Sequence, residues 1–386
     1  MSCQPQDSPA SARSDSSQSS PAMLREIYEQ PQALRETIQR NVEGGKIFPS
    51  AAQSISSAFS GASKIIIAAS GSSRNAGLAG EIMIEDLSGV AVDVEYSSEY
   101  FLRSSRSAAD SLVFVITQSG ETADTIAAQR EALRNGANTV AISNVAESTI
   151  AREATARLIT YAAPEHAVPA TKSFTAQLAM LYLFALFLAQ QRGHIDSDFV
   201  QSSLTRLARM PGEIERELSS WDAQASKAAR FVQNAKAFLY LGRGVHYAIA
   251  REGALKLKEV SYVQAEGMPT GELRHGPSAL VDEKLVVVAL ATQDAADCNS
   301  TLRFQKTLSI LEYVKGCGGR VIAVATEGDS EVTRVADEVI FVPAAAELLL
   351  PILEVVPLQL FAYHFATMNG CDVDHPRHLV KAVVRE

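Results

Sequence analysis

The chain is expected to be an α/β protein built from two tandem parallel sheets, each flanked by helices in a three-layer, flavodoxin-like sandwich. Three observations carry this expectation. From residue 64, short apolar runs alternate with helical stretches; the alternation restarts after a more polar interval at 196–234; and both passages carry the same landmarks at matching offsets. Alternating strands and helices imply a parallel sheet covered on both faces, and self-similarity along a chain marks a duplication.

The elements follow in order. Residues 1–22 are Ser-rich, contain no apolar core of a secretory signal and are expected to form a disordered leader. Residues 23–195 then make a first domain with a helical lead-in, in which Pro31 interrupts one helix and Leu34 and Ile38 share a face of the next. Its buried strands read KIIIAAS, VAVDVEY, SLVFVITQ, NTVAISN and RLITYAA. Between them, Glu121 to Arg134 reads as a helix stopped by Asn135-Gly136. The apolar run Leu178 to Ala189 falls short of the ~18–20 residues that span a bilayer and reads as a buried helix. A helical connection at 196–234 leads to a second domain at 235–370, with strands KAFLYLG, KLVVVALATQ, GRVIAVAT and EVIFVP, and a tail at 371–386. Glu81 lies ten residues after Gly71, as Glu252 does after Gly242, and VITQ at 115–118 matches LATQ at 290–293.

Composition narrows the partners. Of 386 residues 47% are hydrophobic, and the formal net charge is −9. An acidic balance argues against a nucleic-acid binder or a protein that docks on anionic membranes, so any anion must be held by local groups. Cys3, Cys298, Cys317 and Cys371 lie far apart with no metal-ligand spacing, which fits a reduced cytoplasmic chain without a structural metal.

The local groups are visible after the third strand. It runs into Ser119-Gly120-Glu121-Thr122, a hydroxyl- and glycine-rich turn opening a helix, where free N–H groups and the helix dipole can hold a phosphate without lysine. Ser72 and Ser73 follow the first strand at the same sheet edge, where open α/β sheets bind ligands. The alternative is ordinary N-capping. The second repeat has Asp294-Ala295-Ala296 at the corresponding turn, so the repeats have diverged. Neither GSSRNAG nor GRGVHYA completes GxGxxG, which argues against a dinucleotide site.

Residues suited to proton transfer cluster in the second repeat. Lys256 and Glu259 are three apart, on one helix face, where an ammonium can hold a carboxylate ionised. His275 sits in a Gly-Pro-punctuated loop, whereas His166, His194, His246, His364, His375 and His378 lack a comparable carboxylate setting in the sequence. A carboxylate, an imidazole and an ammonium suit proton movement between adjacent sugar carbons. Separately, each also reads as a surface residue or a solvated salt bridge.

Residues 23–386 resemble the isomerase half of the glucosamine-6-phosphate synthase family, two tandem sugar isomerase (SIS) domains. The likeness rests on EIYEQP at 26–31, TQSGETADT at 117–125, ATKSFTAQL at 170–178, EGALKLKEVSY at 252–262, GELRHGP at 271–277, VPLQLFAYH at 356–364 and the tail DVDHPRHLVKAVVRE. The resemblance implies a sugar-phosphate site with the phosphate on Ser73, Thr117, Gln118, Ser119 and Thr122, and a substrate loop carrying Val168 and Ala170. It further implies that Glu259 shuttles a proton between C1 and C2, that Lys256 stabilises the enediol-like intermediate, that His275 assists ring opening from a neighbouring subunit, and that Lys381 engages the sugar carbonyl. A homodimer with a shared site follows from the same resemblance, and no cofactor or metal is expected, because every step is proton transfer or imine chemistry open to Glu, His and Lys. Two departures stand out. No Cys-Gly-Ile glutaminase nucleophile begins the chain, and Ala170 replaces a serine of the family's loop.

The expected activity is therefore a SIS-type glucosamine-6-phosphate deaminase, yielding fructose 6-phosphate and ammonia. Close alternatives are an aminating isomerase fed by free ammonia or a separate glutaminase, and a related phosphosugar isomerase or deglycase. A non-catalytic phosphosugar sensor is the alternative from another class.

Overall fold

A computed structural model describes residues 20–103 and 110–384, so almost all of the expected leader lies outside the described residues. Its last residue, Ala22, already begins α1 (Ala22–Tyr28), and α2 (Gln30–Asn41) follows after a break at Glu29. Pro31 sits in the first turn of α2, where a missing N–H costs nothing, so it starts that helix instead of interrupting one.

The first sheet comprises β1 (Lys64–Ala69), β2 (Val92–Tyr96), β3 (Ser111–Ile116), β4 (Asn138–Ser143) and β5 (Ala156–Ile159) in the order β2-β1-β3-β4-β5, all parallel. The second comprises β6 (Ala237–Gly242), β7 (Gln264–Pro269), β8 (Val286–Ala291), β9 (Arg320–Thr326) and β10 (Glu338–Val342) in the order β7-β6-β8-β9-β10, also parallel. The two orders are one topology used twice, the 2-1-3-4-5 winding of flavodoxin-like sheets, and its ligand-binding crevice lies where the winding reverses, between strands one and three. β3 and β8 are buried along their whole length, as central parallel strands require.

The sequence reading misses β7. Its residues, QAEGMP, do not alternate, and as an edge strand paired only to β6 it needs little apolar content.

Helices cover both sheets: α3 (Gly71–Ser88), α4 (Ala123–Arg134), α5 (Lys172–Gln191), the 35-residue α6 (Ser197–Phe231), α7 (Val245–Ser261), α8 (Cys298–Gly316) and α9 (Leu350–Met368). By length and composition α5 and the stretch Glu347–Met368 could each cross a membrane, but 94% and 89% of their apolar windows are buried inside this fold. They are its core. α3 packs on α5, α7 on α9, and α3 meets α7 across the two sheets. The lead-in closes the arrangement: α1 packs on α9, and the buried Gln30 Nε2 donates to Gln359 Oε1 at 2.9 Å.

Candidate active site

The crevice of the first sheet opens between the ends of β1 and β3 as a cavity of about 270 Å³. Ser70 to Ser73 from the start of α3, and Thr117, Gln118, Ser119 and Thr122 from the turn after β3, form one wall. Glu165, Val168 and Ala170 form a second, the tail residues Leu379 to Val383 a third, and Lys256 and Glu259 reach in from α7 of the other repeat. The fold thus unites every residue singled out from the sequence except His275. That residue is exposed in a 3₁₀ turn, Thr270–His275, and does not line this cavity.

The hydroxyls of this wall are partly committed to the protein's own groups. Thr122 occupies the N-cap position of α4, yet its side chain makes no capping bond; its Oγ1 lies 2.7 Å from Thr117 Oγ1. Ser73 Oγ accepts from Gln177 Nε2 at 3.0 Å, which leaves the serine proton free to donate. Ser119 Oγ accepts from the Glu121 N–H at 3.1 Å. The turn itself depends on Gly120, whose φ is +71° and where a Cβ would stand 2.0 Å from Ser148 Oγ. Gly120→Ala is therefore expected to cost about 1–3 kcal/mol, strain and overpacking together, and to weaken phosphate binding. Urea unfolding and phosphate titration would check both.

Two ion pairs face that wall. Lys256 Nζ donates to Glu259 Oε2 at 2.6 Å and lies 3.5 Å from Glu252 Oε1, while Asn75 Nδ2 donates to Glu252 Oε2 at 2.9 Å. Lys256 is 1% exposed, so this is no solvated surface pair. Burial alone would lower its ammonium, but Glu259 and Glu252 raise it above the ordinary lysine value and keep it charged. Burial raises the Glu252 carboxyl, against the pull of Lys256 and Asn75.

The second pair was not visible in the sequence. Lys381 Nζ donates to Glu165 Oε2 at 2.6 Å and to the Ala167 carbonyl at 2.7 Å. Glu165 also accepts from the Thr171 and Ser173 N–H groups at 2.9 and 3.1 Å and from Ser173 Oγ at 2.7 Å. Full burial pushes its carboxyl up, yet Lys381 and these donors hold it below the ordinary range, so it remains ionised. A lysine so near the chain end would normally fray. Here the Ala123 N–H bonds the Val383 carbonyl at 2.9 Å and the Val168 N–H bonds the Asp374 carbonyl at 3.0 Å, which pins the tail against the cavity. The pairing of Glu165 with Lys381 gives no local signal because the two lie 216 positions apart.

The same crevice in the second repeat is occupied by the chain itself. Between the ends of β6 and β8, the Glu347 carboxylate accepts from Ser300 Oγ, from Arg303 Nε at 2.6 Å and from His246 Nε2 at 3.2 Å. His246 Nδ1 lies 2.7 Å from Glu354, which also accepts from Thr292 Oγ1. The sequence reading found no carboxylate setting for His246; the fold supplies two from residues about a hundred positions away. His364 likewise meets Asp222 at 2.7 Å.

Burial alone would lower the His246 imidazole, but Glu354 and Glu347 push it up to about 10, and Glu347 is held at about 2 against its own burial. A raised folded-state value stabilises the fold fully below the unfolded value of 6.5 and ceases to do so as pH rises through about 10. The stability advantage of the wild type over His246→Leu is accordingly expected to shrink between pH 7 and 10, read from chemical denaturation at each pH.

Among the described residues no three His, Cys, Asp or Glu side chains gather as a metal site. What the cavity offers is hydroxyl and amide donors for an anion, a carboxylate beside a fixed cation, and a second lysine paired with a buried carboxylate.

Comparison with known proteins bears on this arrangement. The SIS domain model matches residues 58–187 and 231–369, one match per sheet. Glutamine-fructose-6-phosphate aminotransferase (isomerizing) of Chlorobaculum tepidum is 43% identical over 366 residues, covering 94% of this chain and 58% of that protein. The Thermus thermophilus counterpart is 41% identical, with 94% and 59% covered. The chain thus spans somewhat over half the length of these curated relatives. Among solved structures, the C-terminal domain of glucosamine-fructose-6-phosphate aminotransferase from Francisella tularensis is 34% identical with a TM-score of 0.86, covering 95% of this chain and 100% of that one. A Thermotoga maritima glucosamine-6-phosphate deaminase shares the fold at 21% identity and a TM-score of 0.71, covering 94% and 99%. With both sheets matched and the relatives' likeness running through nearly the whole chain, this protein belongs to the SIS domain family.

Proposed function

We propose that the protein is an isomerising deaminase of amino sugar phosphates, converting glucosamine 6-phosphate and water to fructose 6-phosphate and ammonia. The observation that supports this most directly is the convergence of the Lys256–Glu259 and Lys381–Glu165 pairs on one hydroxyl-and-amide cradle. In this reading Ser73, Thr117, Gln118, Ser119 and Thr122 seat the phosphate, and the loop of Val168 and Ala170 lies along the sugar.

The chemistry then needs only proton transfers and addition of water. Glu259 removes the C2 proton of the open-chain aldehyde, giving an enolamine whose developing charge the Lys256 ammonium offsets. Returning that proton to C1, while O1 takes a proton and the amino group gives one up, leaves a C2 imine. Water adds at C2, the C–N bond breaks, and ammonia departs, leaving the ketone. Lys381 engages the sugar carbonyl, its ammonium oriented by the ionised Glu165. In the same reading His275, which does not line this cavity, assists ring opening from a second copy of the chain.

The step is reversible. With ammonia free and dilute, mass action draws it toward release; the aminotransferase names of the curated relatives favour the reverse, amination reading.

One assay distinguishes these readings: purified protein is given glucosamine 6-phosphate, or fructose 6-phosphate with an ammonium salt, and ammonia and both sugars are followed. Release of ammonia and fructose 6-phosphate is expected. Turnover confined to the second mixture would replace deamination by amination, and saturable binding without turnover would replace both by a sensor.

A further inference from the structure

Beside the cradle lies a second recess of about 500 Å³, which shares Gly71 with it and is lined by Arg74, Tyr96, Arg251, Lys258 and Glu266. The Arg74 guanidinium lies 3.8 Å from the centre of the Tyr96 ring. Arg251 donates from Nη2 to Tyr96 Oη at 3.3 Å and from Nη1 to Tyr247 Oη at 3.1 Å. One tyrosine therefore holds two like charges side by side. Among the described residues neither guanidinium has a carboxylate within 4.0 Å, and Arg74 Nε, Arg74 Nη1 and Arg251 Nε are buried with no hydrogen-bond partner.

Unpartnered buried donors on adjacent cations are costly, and a bound anion offsets that cost. Three cations face one carboxylate, Glu266, leaving two positive charges. That matches a phosphomonoester, which carries about −1.5 to −2 at pH 7, and the guanidinium fork fits its oxygens in pairs. Glu81, further along α3, adds about half a negative charge near pH 7, because burial and then Glu85 and Asp93 push its carboxyl up to about 7, so a positive surplus remains. The volume exceeds what a bare phosphate fills, and Glu266 can accept from hydroxyls.

The geometry points to a second binding site here, for a phosphomonoester of the sugar-phosphate class, separate from the substrate cradle. It is coupled to the cradle by a short chain of contacts. Asn75 follows Arg74, lines the recess and donates to Glu252, the neighbour of Lys256.

The test uses the full chain with the cradle silenced by Ser119→Ala and Thr122→Ala, and labelled inorganic phosphate as the probe in equilibrium dialysis. Saturable binding is expected to persist, to be displaced by fructose 6-phosphate, and to weaken about 10- to 100-fold when Arg74→Ser and Arg251→Ser are added, the loss of charge-assisted hydrogen bonds. Binding unaffected by the arginine substitutions overturns the site, and failure of the hexose phosphate to displace the label overturns the ligand class. Sedimentation of the arginine variant covers the remaining case: dissociation of an oligomer with phosphate binding intact makes the recess a subunit contact. None of these readouts needs turnover, so they stand or fall apart from the proposed deamination.

Discussion

Glu259→Gln is expected to lower kcat for ammonia release by about 10³-fold while leaving KM within a few-fold, because general acid–base groups contribute roughly 10²–10⁴-fold. Glutamine keeps the length and the contact with Lys256 but cannot carry a proton between C2 and C1. The variant also leaves the buried Lys256 ammonium with Glu252 as its remaining ion-pair partner at 3.5 Å. A melting curve must therefore accompany the kinetics. Exchange of the C2 hydrogen in deuterated water is the sharper readout, since it reports proton abstraction without completed turnover. A variant that retains exchange at the wild-type rate would move the base elsewhere in the cavity.

Glu165→Ala carries the largest expected effect on stability, about 3–5 kcal/mol, the range for removing one member of a buried charge pair. The carboxylate is the shared acceptor for Lys381, two backbone N–H groups and the Ser173 hydroxyl. Its loss strands the buried donors of the 171–173 turn and releases the tail from the cavity wall. Glu165→Gln separates the two consequences, since it keeps acceptor capacity for the turn while abolishing the ion pair. We expect it to recover most of the stability measured by denaturation and little of the activity. Equal stability losses in both variants would show that the ion pair, not the turn, is what the carboxylate sustains.

How much of this was legible in the sequence follows the range of the interactions. Nine of the ten main strands announce themselves, the central ones because a parallel strand buried on both faces must be a continuous apolar run, as in SLVFVITQ and KLVVVALATQ. Edge strand β7 escapes because little of it needs to be apolar. The Lys256–Glu259 pair is legible because three residues on a helix fix a contact locally. Glu165 with Lys381, and His246 with Glu347 and Glu354, are not. They are joined by tertiary folding over 216, 101 and 108 positions, and nothing local distinguishes these acids from surface carboxylates. The serine-rich turn could be read as cradle or cap, and its hydroxyls differ: Thr122 turns to Thr117 and leaves the helix end uncapped, while Ser119 accepts from the Glu121 N–H.

In the second repeat, Glu347 lies where the corresponding crevice of the first is open, held by Ser300, Arg303 and His246. An anion belonging to the chain has an effective concentration set by connectivity, one that dilution cannot lower. That half of the duplication is thus permanently saturated with its own ligand. His246 lies in the first turn of α7, and Lys256 and Glu259 lie further along the same helix. The charges delivered to the first crevice are therefore mounted on a helix anchored by the second repeat's internal ion pairs. One copy of the duplicated unit presents an open crevice, and in the other the corresponding place is taken by the chain's own carboxylate.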